Sequence, residues 1–376
     1  MPTQDNEIIG LLVDGQLHQH WSSYEIDSDL LTPADGFQLV LGVPSGKTIP
    51  DIITEGAKIE VRTGEDIILT GRIDDITTQT DKNGRRLTVR GRDGAAVLLD
   101  CSAPIFNAQN LSLQQILDKL VKPLGITKIR IDADKTAVTN KVQIEPGERA
   151  WDALIKYAEA NGVWPWFEPD GTLVVGGPDY TLEPVADLVM RFDGSNNNIE
   201  KITVTRSMAR RYSEVTVLGQ SHKGTSNIKA TVKDDGVLVY RPLTVTDGDI
   251  DSVAEAQKRA RKIIADSRLD GLTVEVTVKG YRTTEEILWT PGQRINLVSE
   301  PDGLEDVFFL MARTFSLSET GAPRTVLTLK EDGAWVLDAR PSKAKKQNGK
   351  KGRRKGRKGR GKKGQGEVAI VDLSNK

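Results

Sequence analysis

The segment VLGVPSGKTIP, residues 40–50, combines glycine, lysine and threonine in the manner of a phosphate-binding loop. Such a loop has four residues between its two glycines and leads directly into a helix, whose N-terminal N–H groups complete the phosphate site. Here only three residues separate Gly42 from Gly46, and Pro50 biases the residue before it toward extended backbone. The next residues, 55–61, alternate like a strand. We therefore predict a turn between two strands and no nucleotide site.

Two histidines could bind a metal. His18 and His20 would lie on one face of an extended strand, where two imidazoles can share an ion. The third histidine, His222, is far away in sequence, and the acidic residues that follow the pair lie in turn-like sequence. We favour a solvated pair beside a strand end, and we predict no metal site.

Acidic pairs, the cysteine and a tryptophan cluster are weaker candidates. Asp74-Asp75 and Glu285-Glu286 are adjacent pairs, and neighbours on a strand point to opposite faces, which disfavours acid–base cooperation. Cys101 has no histidine near it in sequence, and no Gly-x-Ser-x-Gly motif occurs. The run Trp164–Phe167 could stack on a sugar, but packing of a hairpin is favoured. We predict no catalytic residue, no cofactor and no small-molecule substrate.

Composition separates the chain into two parts of opposite charge. Residues 343–376 contain 14 Lys or Arg and 2 acidic residues, a net charge of +12. The other 342 residues carry 38 basic and 51 acidic side chains, a net charge of −13. The N-terminus lacks the pattern of a signal peptide, no apolar run approaches the length of a membrane span, and the single cysteine excludes an internal disulfide. Together these features predict a soluble protein made in a cytoplasm.

Strand patterns dominate residues 7–93, and a helical region follows. The stretch 74–92, DDITTQTDKNGRRLTVRGR, has two alternating arms around Asn83-Gly84, which predicts a two-residue type I′ hairpin. A capping-box pattern at Ser112 predicts a helix over 112–121, and a second helix is predicted over 148–160. A hairpin over 163–175 completes a small α/β domain.

Strands return after residue 185, and a second capping box at Ser252 predicts a helix to Arg268 that ends at Gly271. Segment 56–59, Gly-Ala-Lys-Ile, resembles segment 292–295, Gly-Gln-Arg-Ile. Each copy leads to Asp-Gly-Ala, at 93–95 and 332–334, after 37 and 40 residues respectively. The order and spacing predict two similar β-barrels in one chain.

Several short motifs occur in order along the chain. They are Leu69-Thr70-Gly71-x-Ile73, Gly91-Arg92-Asp93 leading into Leu98-Leu99-Asp100, the helix Ser112–Val121, Arg268-Leu269-Asp270-Gly271-Leu272 and Leu288-Trp289-x-Pro291-Gly292. No single motif is diagnostic, and their order of occurrence carries a likeness that extends over most of residues 5–336. On these motifs the chain resembles the central baseplate hub proteins of Mu-like contractile-tailed phages, a family related in fold to the T-even phage hub and to the N-terminal region of VgrG spike proteins.

The resemblance implies a multidomain, mainly β fold with α+β parts: two similar β-barrel domains, an α/β domain between them and a small domain inserted in the second barrel. The expected divisions are 1–97 for the first β-barrel domain, 98–182 for the α/β domain, 183–222 and 269–336 for the second β-barrel domain, 223–268 for the inserted domain with its helix, and 337–376 for a basic flexible tail. Three copies are expected to form a ring with six barrel positions.

The basic tail is unusual for a purely structural ring. Residues 343–363 contain 13 Lys or Arg and no acidic residue, which predicts disorder in isolation and salt-dependent binding of anions. Nucleic acid and an acidic protein surface are equally good partners for it. The candidate contact residues are Lys350, Lys351, Arg353, Arg354, Lys355, Arg357, Lys358, Arg360, Lys362 and Lys363.

The resemblance implies a structural virion protein, not an enzyme: the homotrimeric hub of a contractile tail baseplate, which adapts the sixfold tail tube to the threefold spike and forms a channel for DNA. The implied partners are further copies of the chain, the spike protein, the tail tube or an adjacent distal tail protein, baseplate wedge proteins and, transiently, DNA. The implied location is the virion, with assembly in the host cytoplasm. The alternatives are a tail-associated cell-wall hydrolase and a nucleic-acid-binding protein driven by the tail.

Overall fold

A computed structural model describes residues 7–43, 50–82, 84–133, 136, 138–220, 227–247, 250 and 252–337, and the backbone of residues 369–371. Two compact bodies are distinguished: a main body that runs to Arg206 and resumes at Leu272, and an inserted body from Ser207 to Gly271, which also carries the strand Ala369–Val371. Strands in several sheets dominate, which confirms the mainly β, multidomain prediction. No helix within the described ranges is long and apolar enough to span a membrane.

The first β unit consists of seven strands that hydrogen-bond in the order β3-β4-β7-β6-β5-β1-β2. They are β1 (Ile9–Val13), β2 (Gln16–His18), β3 (Ser23–Asp29), β4 (Gly36–Val43), β5 (Lys58–Thr63), β6 (Asp66–Asp81) and β7 (Gly84–Asp93). Alternation sets their faces: in β5 the side chains of Ile59, Val61 and Thr63 are buried, and the residues between them are not.

The hairpin of β6 and β7 is confirmed, but its turn lies one residue earlier than predicted. Asp81 is opposite Gly84, whose N–H donates to Oδ1 of Asp81 at 3.2 Å, so Gly84 opens the strand and is not the second turn residue. Asn83 lies outside the described residues. The phosphate-loop-like segment, residues 40–50, begins within β4. Residues 44–49 also lie outside the described residues, and no helix begins in residues 50–57.

The α/β domain follows directly. Its elements are α1 (Ala95–Asp100), β8 (Asn107–Leu111), α2 (Leu113–Leu120), β9 (Ile129–Ile131), β10 (Thr139–Gln143), α3 (Ala150–Glu159), β11 (Trp164–Phe167) and β12 (Leu173–Gly176). Ser112 and Gln115 form the reciprocal capping box that the sequence predicts for α2. Gly162 follows α3 with a φ of 71°, a conformation that favours glycine. Apolar faces of the helices pack with β11 and β12 in a core separate from that of the β units.

The second half of the chain builds the second β unit around the inserted body. The strands and helix are β13 (Asp187–Met190), β14 (Lys201–Arg206), β15 (Glu214–Gln220), β16 (Asn227–Lys233), β17 (Pro242–Asp247), α4 (Val253–Gly271), β18 (Leu272–Lys279), β19 (Arg294–Ser299), β20 (Leu304–Leu317), β21 (Arg324–Glu331) and β22 (Ala369–Val371). The chain leaves the main body after β14 and re-enters it at β18, and these two strands pair antiparallel.

The inserted body is a four-stranded sheet, ordered β17-β15-β16-β22, with α4 packed on it. The side chains of Ala256, Ala260 and Ile264 are buried along one stripe of α4. This body starts at Ser207, whereas the expected insert started at residue 223, with β15 placed in the second barrel. Alternation predicts β15 as a strand but carries no information about which sheet it joins.

The two β units share one strand order. The order β3-β4-β7-β6-β5-β1 of the first unit corresponds to β14-β18-β21-β20-β19-β13 of the second. They differ at the last pair, since β1 is antiparallel to β5 and β13 is parallel to β19. The inserted body therefore forms the connection from β14 to β18. The equivalent connection in the first unit is the short link from β3 to β4.

Backbone geometry repeats together with the strand order. Gly56 and Gly292 have φ values of 79° and 97°, and their N–H groups donate to the carbonyls of Ile73 and Leu310, at 2.8 Å in both units. The middle strands β6 and β20 have a register shift immediately after these two acceptors. The repeat suggested by the sequence is thus present in the backbone.

Candidate assembly site at the joint between the β units

A strand pair joins the two β units into one sheet. Before its register shift, β20 pairs with β19; after it, residues 312–317 pair antiparallel with residues 24–29 of β3. The result is a thirteen-stranded sheet whose buried side chains form a single apolar core across both units. Because backbone hydrogen bonds and a shared core connect them, the units are held as one rigid piece.

Two tyrosines connect the units inside this core. The hydroxyl oxygens of Tyr24 and Tyr281 are 2.5 Å apart, and both side chains are buried. The Tyr281 ring also packs on Phe315, with 4.6 Å between ring centroids. Burial raises the pKa of Tyr24 to about 12 and that of Tyr281 further, so both hydroxyls stay protonated.

A buried arginine crosses the same joint. The guanidinium of Arg313 in β20 donates to the backbone carbonyls of Ile26 at 3.3 Å and Ile68 at 3.2 Å, and it lies 4.0 Å from the ring centroid of Phe315. Burial lowers its pKa to about 10, although the nearby carboxylates of Asp35 and Asp27 act in the opposite direction. One β20 side chain therefore holds carbonyls of two different strands of the first unit.

Acidic side chains lie at the end of the joint that faces the α/β domain. Loss of solvation raises the pKa of Asp35 to about 6, against hydrogen bonds from Ser28 and from the N–H of Asp29 that stabilise its anion. Burial and the neighbouring Asp35 raise the pKa of Asp93 well above its ordinary value. Asp93 also accepts the N–H of Ala95 at 2.9 Å and so positions the start of α1.

The aromatic run Trp164–Phe167 fixes the α/β domain to the first β unit. Nε1 of Trp164 donates to the carbonyl of Leu30 at 2.8 Å, and the buried Phe167 ring contacts the backbone at Gly94 so closely that a Cβ there would lie 2.5 Å from it. These contacts are packing and positioning contacts, in agreement with the favoured interpretation of the run.

The histidine pair and one of the acidic pairs are placed differently from the arrangements that the sequence suggested. Strand β2 ends at His18, and His20 has a φ of 68°, so the two rings do not share a strand face as expected. Asp74 lies at the register shift of β6 and binds Arg92 at 2.6 Å. Across the described ranges, no group of three or more His, Cys, Asp or Glu residues is arranged to hold a metal.

The ten basic contact residues predicted between Lys350 and Lys363 all lie outside the described residues. The sequence reasoning missed exposed apolar side chains instead. Leu238 is 96% exposed and Tyr240 is 73% exposed in the inserted body, and Phe192 is 80% exposed in the main body. They occur in loops, where no periodic pattern marks them.

Four family models match successive parts of the chain. Residues 8–93 match the N-terminal domain of baseplate assembly proteins like GpP of phage Mu, and residues 95–177 match the second domain of baseplate hub proteins like gp44. Residues 211–264 match the third domain of NMB1110-like tail proteins, and residues 266–334 match a tail-protein C-terminal domain.

Whole-chain relatives agree with these domains. The baseplate hub protein gp44 of Escherichia phage Mu is 25% identical over 358 residues, which cover 91% of this chain and 92% of gp44. A tail protein from Neisseria meningitidis is 40% identical, with a TM-score of 0.78 over 87% of this chain and 97% of its own. The 43 kDa tail protein of prophage MuSo2 from Shewanella oneidensis is 25% identical, with a TM-score of 0.79 over 88% and 100%.

These relatives are structural proteins of phage tails and baseplates and not enzymes, which removes the cell-wall hydrolase alternative. Their domains follow one another in the same order as the elements described above, from the first β unit to the second. The chain belongs to the family of Mu-like phage tail proteins that includes the baseplate hub, and it is a structural component of the virion tail.

Proposed function

We propose that three copies of this chain form a ring at the centre of a contractile tail baseplate, with the two β units of each copy as six similar positions around a channel. The observation that carries this proposal is the repeated strand order with its repeated glycine and register shift. A chain with two equivalent modules can present pseudo-sixfold symmetry on one face and true threefold symmetry on the other. The ring would thus adapt a sixfold tail tube to a threefold spike and let DNA pass.

Each β unit would close as a barrel, and the parts of the chain would have different functions. The two β units would form the ring, and the α/β domain and the inserted body would face neighbouring components. Those components would be the spike protein, the tail tube or an adjacent distal tail protein, and the baseplate wedge. Assembly would take place in the host cytoplasm.

The basic segment, residues 343–363, would bind an anionic surface near the ring. Its 13 Lys or Arg make such binding strongly dependent on salt. Passing DNA and the acidic surface of a neighbouring protein are both suitable partners, and the segment is not needed to hold the ring together.

Light scattering on the purified chain tests the ring. The matched variant replaces the 13 Lys and Arg of residues 343–363 with Gln and retains β22, so that only the charge changes. We expect a mass of three chains for both proteins, at low and at high salt, because strand pairing and apolar contacts hold the ring. A one-chain mass for both proteins at every concentration would contradict the ring. A trimer that dissociates when the charge is removed would assign assembly to the tail instead.

A further inference from the structure

Two strand edges of the main body are exposed. In β14, the side chains alternate between exposed and half-buried, and of the described strands only β18 pairs with it. In β6, the stretch after the register shift pairs with β7 on one side, and no described strand pairs with the other side of residues 75–80. An edge strand presents unpaired backbone N–H and C=O groups, which readily pair with another strand.

The repeat identifies a partner for each edge. In the order of strands, β6 corresponds to β20 and β14 corresponds to β3. Within the chain, the edge of β20 that follows its register shift is paired with β3. The same contact made by the corresponding strands would join β6 to β14, and these belong to opposite units, so the contact can form between copies.

We propose that β6 of one copy pairs antiparallel with β14 of the next copy, so that three such contacts and three internal β20–β3 contacts alternate around the ring. This inference rests on the proposed ring and names the surface that closes it. The contact joins two different patches, and a head-to-tail contact of this kind generates a closed ring when its rotation permits.

The register follows from residues in equivalent positions. In the first unit, Ile76 is opposite Val89. In the second unit, Arg313 is opposite the equivalent residue, Leu327. Ile76 therefore corresponds to Arg313. Likewise Tyr24, opposite Leu39, corresponds to Ile202, opposite Val276. Thr80 corresponds to Leu317, because each lies four residues after the corresponding residues Ile76 and Arg313. Since Leu317 is opposite Tyr24 at the internal joint, Thr80 is expected opposite Ile202 between copies.

The remaining pairs follow by stepping along the strands. Gln79 falls opposite Thr203, and Thr78 falls opposite Val204. One position beyond Thr80, Asp81 falls opposite Lys201.

The side chains brought together in this register are compatible. Ile202 and Val204 are half-buried at the border of the apolar core, and a strand laid beside them would cover their outer sides. The central positions of both strands are rich in threonine and β-branched residues, which suit cross-strand pairs. The terminal pair, Asp81 with Lys201, has opposite charges, whereas a shift of one residue between the two strands would place these two side chains on opposite faces.

Cysteine cross-linking tests the contact and its register. In a Cys101→Ser background, one full-length variant carries Gln79→Cys with Thr203→Cys, and a second carries Thr78→Cys with Val204→Cys. Adjacent pairs on antiparallel strands alternate in geometry, with Cα atoms about 4.5 or 5.5 Å apart, and a disulfide accepts both distances. A control variant, Gln79→Cys with Val204→Cys, places the thiols on opposite faces. A second control, Glu25→Cys with Ser316→Cys, is the equivalent pair within one chain.

After oxidation, the two test variants are expected to migrate as covalent trimers on a non-reducing denaturing gel and as single chains after reduction. The control with opposite faces should remain a single chain, and the internal pair should form a disulfide without a change in mass. A trimer by light scattering in which neither test pair cross-links would overturn the β6–β14 contact and leave the ring standing. A single chain by both methods would overturn both.

Discussion

The hydroxyl groups of Tyr24 and Tyr281 meet at 2.5 Å although 257 positions of sequence separate them. The bond lies inside the core where β3 joins β20, so it reports directly on the contact between the two β units. Both hydroxyls are desolvated and bond each other, and that of Tyr281 also donates to the carbonyl of Ser316 at 3.5 Å, so the loss of one hydroxyl removes the shortest hydrogen bond of the other. The joint is thereby specified by a polar contact as well as by apolar packing.

Removing one hydroxyl of this pair should lower the free energy of unfolding by more than the net contribution of a single hydrogen bond. We expect Tyr24→Phe and Tyr281→Phe each to lower the free energy of unfolding by about 1–2 kcal/mol, since each removes a hydrogen bond from the buried hydroxyl of the remaining tyrosine. The double variant should lose less than the sum, by about 1 kcal/mol. Urea unfolding measures all three, with Tyr240→Phe, at an exposed position, as a control of small effect. Strict additivity would contradict the coupling.

A glycine in β6 permits a close approach of strands. A Cβ at Gly71 would lie 2.0 Å from the backbone carbonyl oxygen of Arg92, whereas a Cβ at Gly42 of β4 would meet no atom within 4 Å. Gly71→Ala should therefore lower the free energy of unfolding by about 3 kcal/mol or more, because backbone must move, and Gly42→Ala should change it by less than about 1 kcal/mol. Thermal unfolding compares the two, and equal shifts would refute this explanation.

The carboxyl of Asp35 should make the folded state less stable as the pH rises from about 4 to about 6. Its pKa of about 6 in the folded protein exceeds its ordinary value of 3.8, so the folded state binds the proton more tightly than the unfolded state. This contribution is present below the unfolded pKa and is lost as the pH passes the folded one. Asp35→Asn should flatten the dependence of urea unfolding on pH in this window.

Asp118 provides the opposite case. Its hydrogen bond and ion pair with Lys122 lower its pKa, so its contribution is present above its ordinary pKa and is lost as the pH falls. Asp118→Asn should therefore remove a dependence of the opposite sign, at lower pH. A wild-type slope in Asp35→Asn would show that the carboxyl is not desolvated as described.

A charge exchange tests the proposed contact between copies. Lys201→Glu places a like charge opposite Asp81 and should weaken the ring, so that it dissociates below a higher protein concentration. The effect is enlarged because the pair recurs three times. Asp81→Lys should do the same, although it also removes the bond to the N–H of Gly84. Combining the two restores opposite charges and should recover part of the loss. Sedimentation at several concentrations measures this, and a combined variant no tighter than the weaker single variant would argue against the pairing.

Sequence periodicity and capping patterns predicted local structure well. The capping box at Ser112 and the alternation of β5 follow from interactions within a few residues, and both were found as predicted. The repeat around Gly56 and Gly292 was also visible, because the same positive φ constrains the same residue type.

Long-range relations could not be predicted in this way. Whether β15 pairs in the second β unit or in the inserted body depends on partners distant in sequence, and alternation is the same in both cases. The buried Arg313 looked like any charged strand residue, since its carbonyl partners come from Ile26 and Ile68, far away in the chain. The alignment of the two units by their Asp-Gly-Ala segments is wrong by one residue. Gly91 corresponds to Leu329, so Asp93 corresponds to Glu331 and not to Asp332.

The most direct test of the account is negative-stain electron microscopy of the purified full-length chain. This measurement shows whether one chain supplies two equivalent positions of a ring. We predict class averages of closed rings with an open centre and six similar lobes, which become threefold when the α/β domain and inserted body are resolved. Particles of a single chain, or twofold dimers without a central opening, would contradict the claim.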